Sequence, residues 1–426
     1  MKRILLAAWL AIALGGVAVA QSGQYPNNTV AGNVSGSPAP ATPITAAQLT
    51  TLCNVFTSSL PGCVSASGGG TTNFLRADGT WTAPAGGGGG GSTVNLAARF
   101  GSMDVWQRGA GTAASIAIPA SSIGYTVDGC YLNVGNNTAS TVASTAGIAT
   151  GSFRAAAITK NSGQAASGSN TQFGCPLDTD EIALFRGQFV ALSFTASTGA
   201  GWDPVSGNIV YTLYCGLGTP IKQVIGFSAQ TTPVNTSVSI AAGAAAARYQ
   251  TTSAAIVPSN CTQAEIQWTW LHAGTSGAND SITIDDVQLE IVASSGSTAS
   301  AFVPADFNIQ LVRAQRHYVK TFPYGTAPAQ NAGVAGAFGG VAQTAGGTVG
   351  IKWMFQRQMR VSPTITTFDP SAAAATCRQF GTSAGARTVS VDPDTAKSAD
   401  DVLITCATSA TAGDRVYVHA VADAGI

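Results

Sequence analysis

Between residues 93 and 303 the chain alternates apolar and polar positions in short runs, with no helical spacing between them. The runs are Ser115–Ile118, Tyr131–Val134, Gly151–Ile158, Phe189–Phe194, Ile209–Cys215, Ile221–Phe227, Ser237–Ile240, Ala264–Leu271 and Ser281–Ile291, each bounded by turn-forming residues. Successive side chains of a strand point to opposite faces, so this pattern predicts an antiparallel sandwich, read as a jelly roll. The last run carries a phase slip. Ile282 and Ile284 share one parity, whereas Val287, Leu289 and Ile291 fall on the other. A β-bulge at Asp285-Asp286 restores the inward phase and re-aims a carboxylate.

The flanks behave differently. Phe307, Leu311, Ala314 and Tyr318 recur at helical spacing behind Pro304 and Asp306, which predicts a junction helix within 304–322. Its apolar stripe either docks on the sandwich or lines a threefold axis. Strand-like runs return at Thr348–Phe355, Thr364–Phe368, Thr388–Val391, Val402–Cys406 and Arg415–Val421, predicting a smaller C-terminal β domain over 323–426. Upstream, 21–66 reads as an irregular segment with one helix from Thr45 to about Leu60, where Thr45 and Gln48 stand at capping-box positions. Residues 67–92 form a glycine-rich linker ending in Gly86–Gly91. At the start, Lys2-Arg3, an apolar run from Ile4 to Val17, and Ala18-Val19-Ala20 predict a signal peptide over 1–20, cleaved before Gln21. No basic stop-transfer patch follows, so stable membrane insertion is not expected after cleavage. The fold class expected is therefore all-β: a jelly-roll sandwich, a short helix and a smaller β domain.

Composition narrows the function classes. Charged residues make up 9% of the chain against a typical quarter, which excludes a coiled coil or a charged disordered tail. The formal net charge is zero and no basic stripe exists, so nucleic acid is not an expected partner. Eight cysteines suit an oxidising compartment. None forms a CxxC pair and only three histidines exist, so neither zinc nor another cofactor is expected. Cys53 with Cys63 closes a small loop, and Cys377 with Cys406 staples the last domain. The four central cysteines allow three pairings.

Three separated stretches resemble phage and prophage tail-fibre proteins. Asn73-Phe-Leu-Arg-Ala-Asp-Gly-Thr-Trp81 is similar to the "FLRGDGTW" linker of tail fibres, with Ala77 in place of glycine. Phe100-Gly-Ser-Met-Asp-Val-Trp-Gln-Arg108, Tyr125-Thr-Val-Asp128 and Ile284-Asp-Asp-Val-Gln-Leu-Glu290 resemble the opening, an internal element and the closing strand of a carbohydrate-binding-like tail module. Phe302-Val-Pro-Ala, Leu311 to Tyr318 and Met359-Arg-Val-Ser-Pro-Thr-Ile-Thr366 resemble the junction that follows it. The resemblance implies surface or virion attachment, a jelly-roll module and a homotrimer. Fibres usually assemble in the cytoplasm, so the signal peptide points to an exported protein that has recruited fibre modules, or to a virion tail if the chain is phage-encoded.

Enzyme motifs are lacking in the sequence. His272, His317 and His419 stand in no GxSxG, HExxH or P-loop context. Asp285, Asp286 and Glu290 form the densest acidic cluster and read as structural, through backbone bonds or a calcium ion. The expected function is non-enzymatic binding of a cell-surface carbohydrate by a fibre-like adhesin, with a structural spacer as alternative and a polysaccharide-degrading enzyme behind both. Sugar binding needs an aromatic platform with directed polar partners. Trp268 and Trp270 read as core, and Trp106, in the opening motif, as packed at the sandwich edge. Trp202, Asp203 and Asn208, in the loop-like Gly199–Asn208 segment, are the glycan-contact candidates, and a merely anchored loop is the competing reading.

Overall fold

The computed structural model describes residues 30–52, 74–75, 81–82, 94–136, 138–166, 168–218, 226–391, 398–407 and 411–425. The expected signal peptide, the Cys53 and Cys63 pair, the six-glycine run and most of Ile221–Phe227 lie outside them. The chain divides into two compact units, Met1–Gly88 and Gly89–Ile426.

In the first unit, β1 (Val30–Gly32) pairs antiparallel with β2 (Thr42–Ile44), and α1 spans Ala46–Leu52. The capping box is present: Thr45 N donates to Gln48 Oε1 at 2.9 Å, and Gln48 N to Thr45 Oγ1 at 3.2 Å. Phe74–Leu75 (β3) and Trp81–Thr82 (β4) pair across the fibre-like linker motif.

The second unit opens with a sandwich. Its strands are β5 (Ser115–Ile118), β6 (Ser122–Tyr125), β7 (Tyr131–Val134), β8 (Ser140–Ala146), β9 (Arg154–Lys160), β10 (Thr171–Leu177), β11 (Phe189–Thr198), β12 (Asn208–Leu217), β13 (Ser228–Ser239), β14 (Ala247–Thr252), β15 (Gln263–Trp270) and β16 (Ser281–Val292). They form two six-stranded antiparallel sheets, in the orders β13-β12-β15-β10-β7-β6 and β14-β11-β16-β9-β8-β5. A short helix, α2 (Thr179–Ala183), follows β10 behind an Asp178–Glu181 capping box. The two inner faces share one apolar core, in which Trp268 lies 5.4 Å from Phe194 and 5.7 Å from Phe173. Two disulfides, Cys130–Cys175 and Cys215–Cys261, settle the central pairing.

The expected bulge is in place. Opposite β11, Ser193 pairs with Gln288 but Thr195 with Asp285, so Asp286 and Val287 together face Phe194. Asp286 takes a positive φ of 48°, and Ile282, Ile284, Val287 and Leu289 all reach the core. The sheet changes partner at the same point. β9 pairs with β16 only up to Ile284, and beyond the bulge the 95–101 segment takes over, with Val287 N donating to Gly101 O and Leu96 N to Leu289 O.

The junction helix, α3, is shorter than the stripe predicts. It spans Phe307–Ala314, capped by Asp306 Oδ1, which accepts from Asn308 N at 2.8 Å. Tyr318 instead opens a strand, and the buried helical residues are Gln310 and Ala314, while Phe307 is half exposed. Eight residues give barely two turns, too few for one face to carry all four apolar positions.

The remaining strands are β17 (Tyr318–Lys320), β18 (Phe338–Val341), β19 (Thr348–Met354), β20 (Thr364–Phe368), β21 (Cys377–Phe380), β22 (Gly385–Arg387), β23 (Val389–Val391), β24 (Asp401–Ala407) and β25 (Arg415–Asp423). β25 pairs with β17, β18, β20 and β21, and β19-β24-β23 forms a second sheet. They enclose a separate apolar cluster around Ile351, Trp353, Ile404 and Val418, stapled by Cys377–Cys406 as expected. This part is bound to the sandwich through the opening motif. Arg108 pairs with Asp423, Nη2 donating to Oδ1 at 3.0 Å, while its guanidinium lies over the rings of Tyr125 and Tyr318. No helix among the described residues is long and apolar enough to cross a membrane.

Candidate functional site

Where β16 exchanges partners, the outer side of the sandwich opens into a cleft of about 830 Å³. Its wall is built around the bulge. Asp285 turns outward and spends its oxygens on the β8–β9 turn. Oδ2 accepts from Ile148 N at 2.9 Å and Ala149 N at 3.3 Å, and Oδ1 from Ser152 Oγ at 3.0 Å and Asp286 N at 2.8 Å. This turn delivers Phe153 and Arg154 to the cleft. Phe153 is 81% exposed, the most open large apolar side chain among the described residues.

Two more carboxylates line the cleft. Asp286, released by the bulge, is only 6% exposed, and its Oδ1 has no hydrogen-bond partner. Asp104, from the opening motif, accepts from Gln310 Nε2 at 3.4 Å on Oδ2 and leaves Oδ1 unpartnered. Burial disfavours the charged form of each. It pushes Asp104 up to about 6 against the Gln310 hydrogen bond. Asp286 also rises to about 6, through burial first and the neighbouring Asp285 charge second, with Arg248 opposing. Arg248 is held by donating Nη2 to Ser193 Oγ at 2.6 Å. Arg154 Nε, also buried, has no partner.

The far wall comes from the junction. Phe302, Pro304 and Ala305 line it, as does Phe307, whose ring meets Tyr324 edge-on at 5.7 Å. Tyr324 is fixed by accepting from Trp106 N at 2.9 Å and donating to Asp104 O at 3.2 Å. Three of the stretches that carry the tail-fibre resemblance thus converge here, through Asp104, Asp286 and Phe302.

The glycan-contact candidates named from sequence stand elsewhere. Trp202 is 4% exposed, in the sandwich core, with its ring 5.7 Å from that of Trp270. Buried to that extent, the ring presents no open face to a sugar and anchors its loop instead. Asp203 is exposed beside it, and Asn208 is half-buried at the start of β12. Neither lines the cleft. The histidines are also elsewhere. His272 pairs with Asp280, His419 stacks on Phe322 at 4.0 Å, and His317 bonds Asp178 at 2.9 Å while burial and the Arg99 charge push it down to about 4. Glu290 accepts from Ser300 N and Gln288 Nε2. No group of three candidate metal ligands occurs among the described residues.

Sequence reading missed Asp104, Phe153, Arg154, Arg248 and Tyr324 as site residues. Phe153 was counted within a strand from Gly151, but the strand begins at Arg154. The usable signal was the glycine and serine just before the ring, which mark a turn.

No family model matches the chain, and neither does any curated protein. Similar solved structures include the enzymatically active domain of tailspike protein 4 from bacteriophage CBA120, at 12% identity and TM-score 0.26 over 47% of this chain. The chain spans 21% of that domain's length. A xylan-binding domain from CBM 22 matches at 14% identity and TM-score 0.23, over 38% of this chain and 85% of its own. A CBM4 structure matches at 20% identity and TM-score 0.22, over 38% and 94%.

Proposed function

We propose that the chain is an exported, non-enzymatic adhesin whose sandwich holds a cell-surface glycan in the cleft beside the bulge. The observation that carries this reading is Phe153, fully presented at a cleft whose walls hold unpartnered polar atoms. Sugars need both elements: an apolar ring for the pyranose face and directed donors and acceptors for the hydroxyls. The volume suits a ligand of a few sugar units, within the 300–1,000 Å³ of typical ligand sites. A glycan array with the purified protein tests the reading. Binding that disappears in Phe153→Ala supports it, and no binding to any glycan sinks it.

One observation favours hydrolysis as a second reading. Asp104 and Asp286 are both raised to about 6 in one cleft, the range in which a carboxyl serves as acid or base near neutral pH. Release of reducing ends from capsule or lipopolysaccharide, abolished by Asp104→Asn, would establish it.

Export is supported by the three disulfides among the described residues, bonds that persist in oxidising compartments. The trimer implied by the tail-fibre resemblance completes the proposal. Light scattering of protein secreted with its own leader checks both, and an uncleaved cytoplasmic monomer contradicts both.

A further inference from the structure

We infer that the cleft selects a glycan bearing a free, positively charged amino group, bound between Asp104 and Asp286 with a sugar face against Phe153. This rests on the glycan-binding reading and names the ligand class within it.

The argument starts from what each charge in the cleft already does. Asp285 is fully engaged by the β8–β9 turn. Asp306 caps α3. Arg248 is directed at Ser193 Oγ and at the Asp286 backbone oxygen, 3.4 Å away. Among the described residues, neither Asp104 nor Asp286 makes an ion pair, although both line the cleft with Arg154 and Arg248. Each keeps one buried oxygen without a donor.

A buried carboxylate without a counter-charge is costly, and a ligand gains most by supplying what is missing. A hydroxyl offers one donor and no charge. An ammonium offers three donors and a full positive charge, and Asp104 and Asp286 line one cleft close enough for the charge of the first to raise the second. The arginines offset this only in part: the Arg154 backbone amide and charge lower Asp104, but less than burial raises it. Arg248 lowers Asp286, yet burial and the neighbouring carboxylates still hold Asp286 well above the usual carboxylate range. Burial is the first cause of that rise, and the Asp285 and Asp104 charges beside Asp286 add to it; an added cation would offset both charges. Arg154 Nε, a donor without an acceptor, is left to meet a ring or hydroxyl oxygen of the same ligand.

The test is calorimetric titration of the full chain with a β-1,4-linked glucosamine oligosaccharide, its N-acetylated counterpart and an oligogalacturonate, at a pH where the sugar amine is charged. The amino form should bind about tenfold tighter than the N-acetylated form, with the acidic chain weakest. Asp286→Asn and Asp104→Asn should each erase that preference, so that the amino and N-acetylated forms bind each variant equally. Asparagine is nearly isosteric with aspartate, and thermal midpoints check that the variants fold; if one does not, the other carries the test alone. Equal affinity for the two forms, or a preference that survives both substitutions, overturns the amine assignment and leaves the glycan reading intact. Failure to bind a glycan of any class overturns both.

Discussion

On the outer face of the sheet holding β7, β10 and β15, polar side chains are spent on one another. Tyr131 Oη donates to Glu265 Oε1 at 2.6 Å, Gln267 Nε2 donates to the same oxygen at 2.8 Å, and Asn133 Nδ2 donates to Gln172 Oε1 at 2.7 Å. Gly174 makes room for this network, since a Cβ there would stand 2.4 Å from Glu265 Oε1 and 2.5 Å from the Tyr131 ring. On the outer face of the other sheet, Asp285 is similarly spent, but Asp104, Asp286 and Arg154 each keep an atom unpartnered, and an exposed phenyl ring stands beside them. Glu265 Oε2 also lacks a hydrogen-bond partner, but it is sealed in the interior, whereas the unpartnered atoms of the other face line a cleft that a ligand can enter. Both faces hold a carboxyl raised well above its ordinary value, so the shift alone does not separate structure from function. What separates them is access: Glu265 is fully buried, whereas Asp286 lines an open cleft beside an exposed ring.

The largest effect expected is on the closed face. Burial pushes Glu265 up to about 7, with Tyr131 and Gln267 pulling the other way. Because the folded value exceeds the unfolded 4.5, its contribution to stability is present in full below pH 4.5 and lost as pH rises through about 7. Glu265→Gln should therefore be the less stable form at acid pH and gain on the parent by up to about 3 kcal/mol toward alkaline pH. Urea melts across this range measure it, and glycan binding should not change. A stability difference that stays constant with pH would break the contrast between the faces.

Next is Phe153→Ala, which should weaken glycan binding roughly thirtyfold, the scale of an aromatic anchor at about 2 kcal/mol. Its exposed ring supports no core, so the melting temperature should move little. A variant that melts early and still binds would mean the ring is structural. Asp285→Asn comes third. It weakens the three bonds that fix the β8–β9 turn, at a cost of about 1.5 kcal/mol in stability, and binding should fall several-fold because Phe153 is no longer held. Hydrogen exchange at the Ile148 and Ala149 amides is the specific readout, and unchanged protection would show that the turn is held by other means.

The bulge could be read from sequence because strand parity admits no exceptions: five apolar residues cannot share one face of β16 without an extra residue. The sandwich core and the Cys377–Cys406 pair were legible for similar reasons of pattern and spacing. Strands β8 and β14 were not, because Ser140–Ala146 and Ala247–Thr252 are built of small or polar residues with no clear apolar alternation. β10 was hidden by Gly174 and Pro176, residues that ordinarily interrupt strands. Little of the cleft could be anticipated. Asp286 follows from the bulge, but Asp104, Arg248 and Tyr324 come from distant parts of the chain and meet only through the partner exchange along β16. Trp202 misled because a tryptophan between glycines and prolines looks presented, when those residues let the chain fold back over the ring.

The smallest effect compares the two raised carboxyls directly. Asp286, like Glu265, has a folded value above its unfolded 3.8, so its contribution to stability is lost as pH rises through about 6. It faces an open cleft that water can enter, so the cost is screened, and Asp286→Asn should gain less than about 1 kcal/mol at neutral pH. Saturating glycan then distinguishes the faces. A ligand donor or cation on Asp286 favours its ionised form and should remove this pH dependence in the parent, while that of Glu265 persists because nothing reaches it. If ligand flattens neither, the carboxylate in the cleft is not where the glycan sits. Flattening of both would mean that the closed face takes part in binding and that its network is not as self-sufficient as its hydrogen bonds imply.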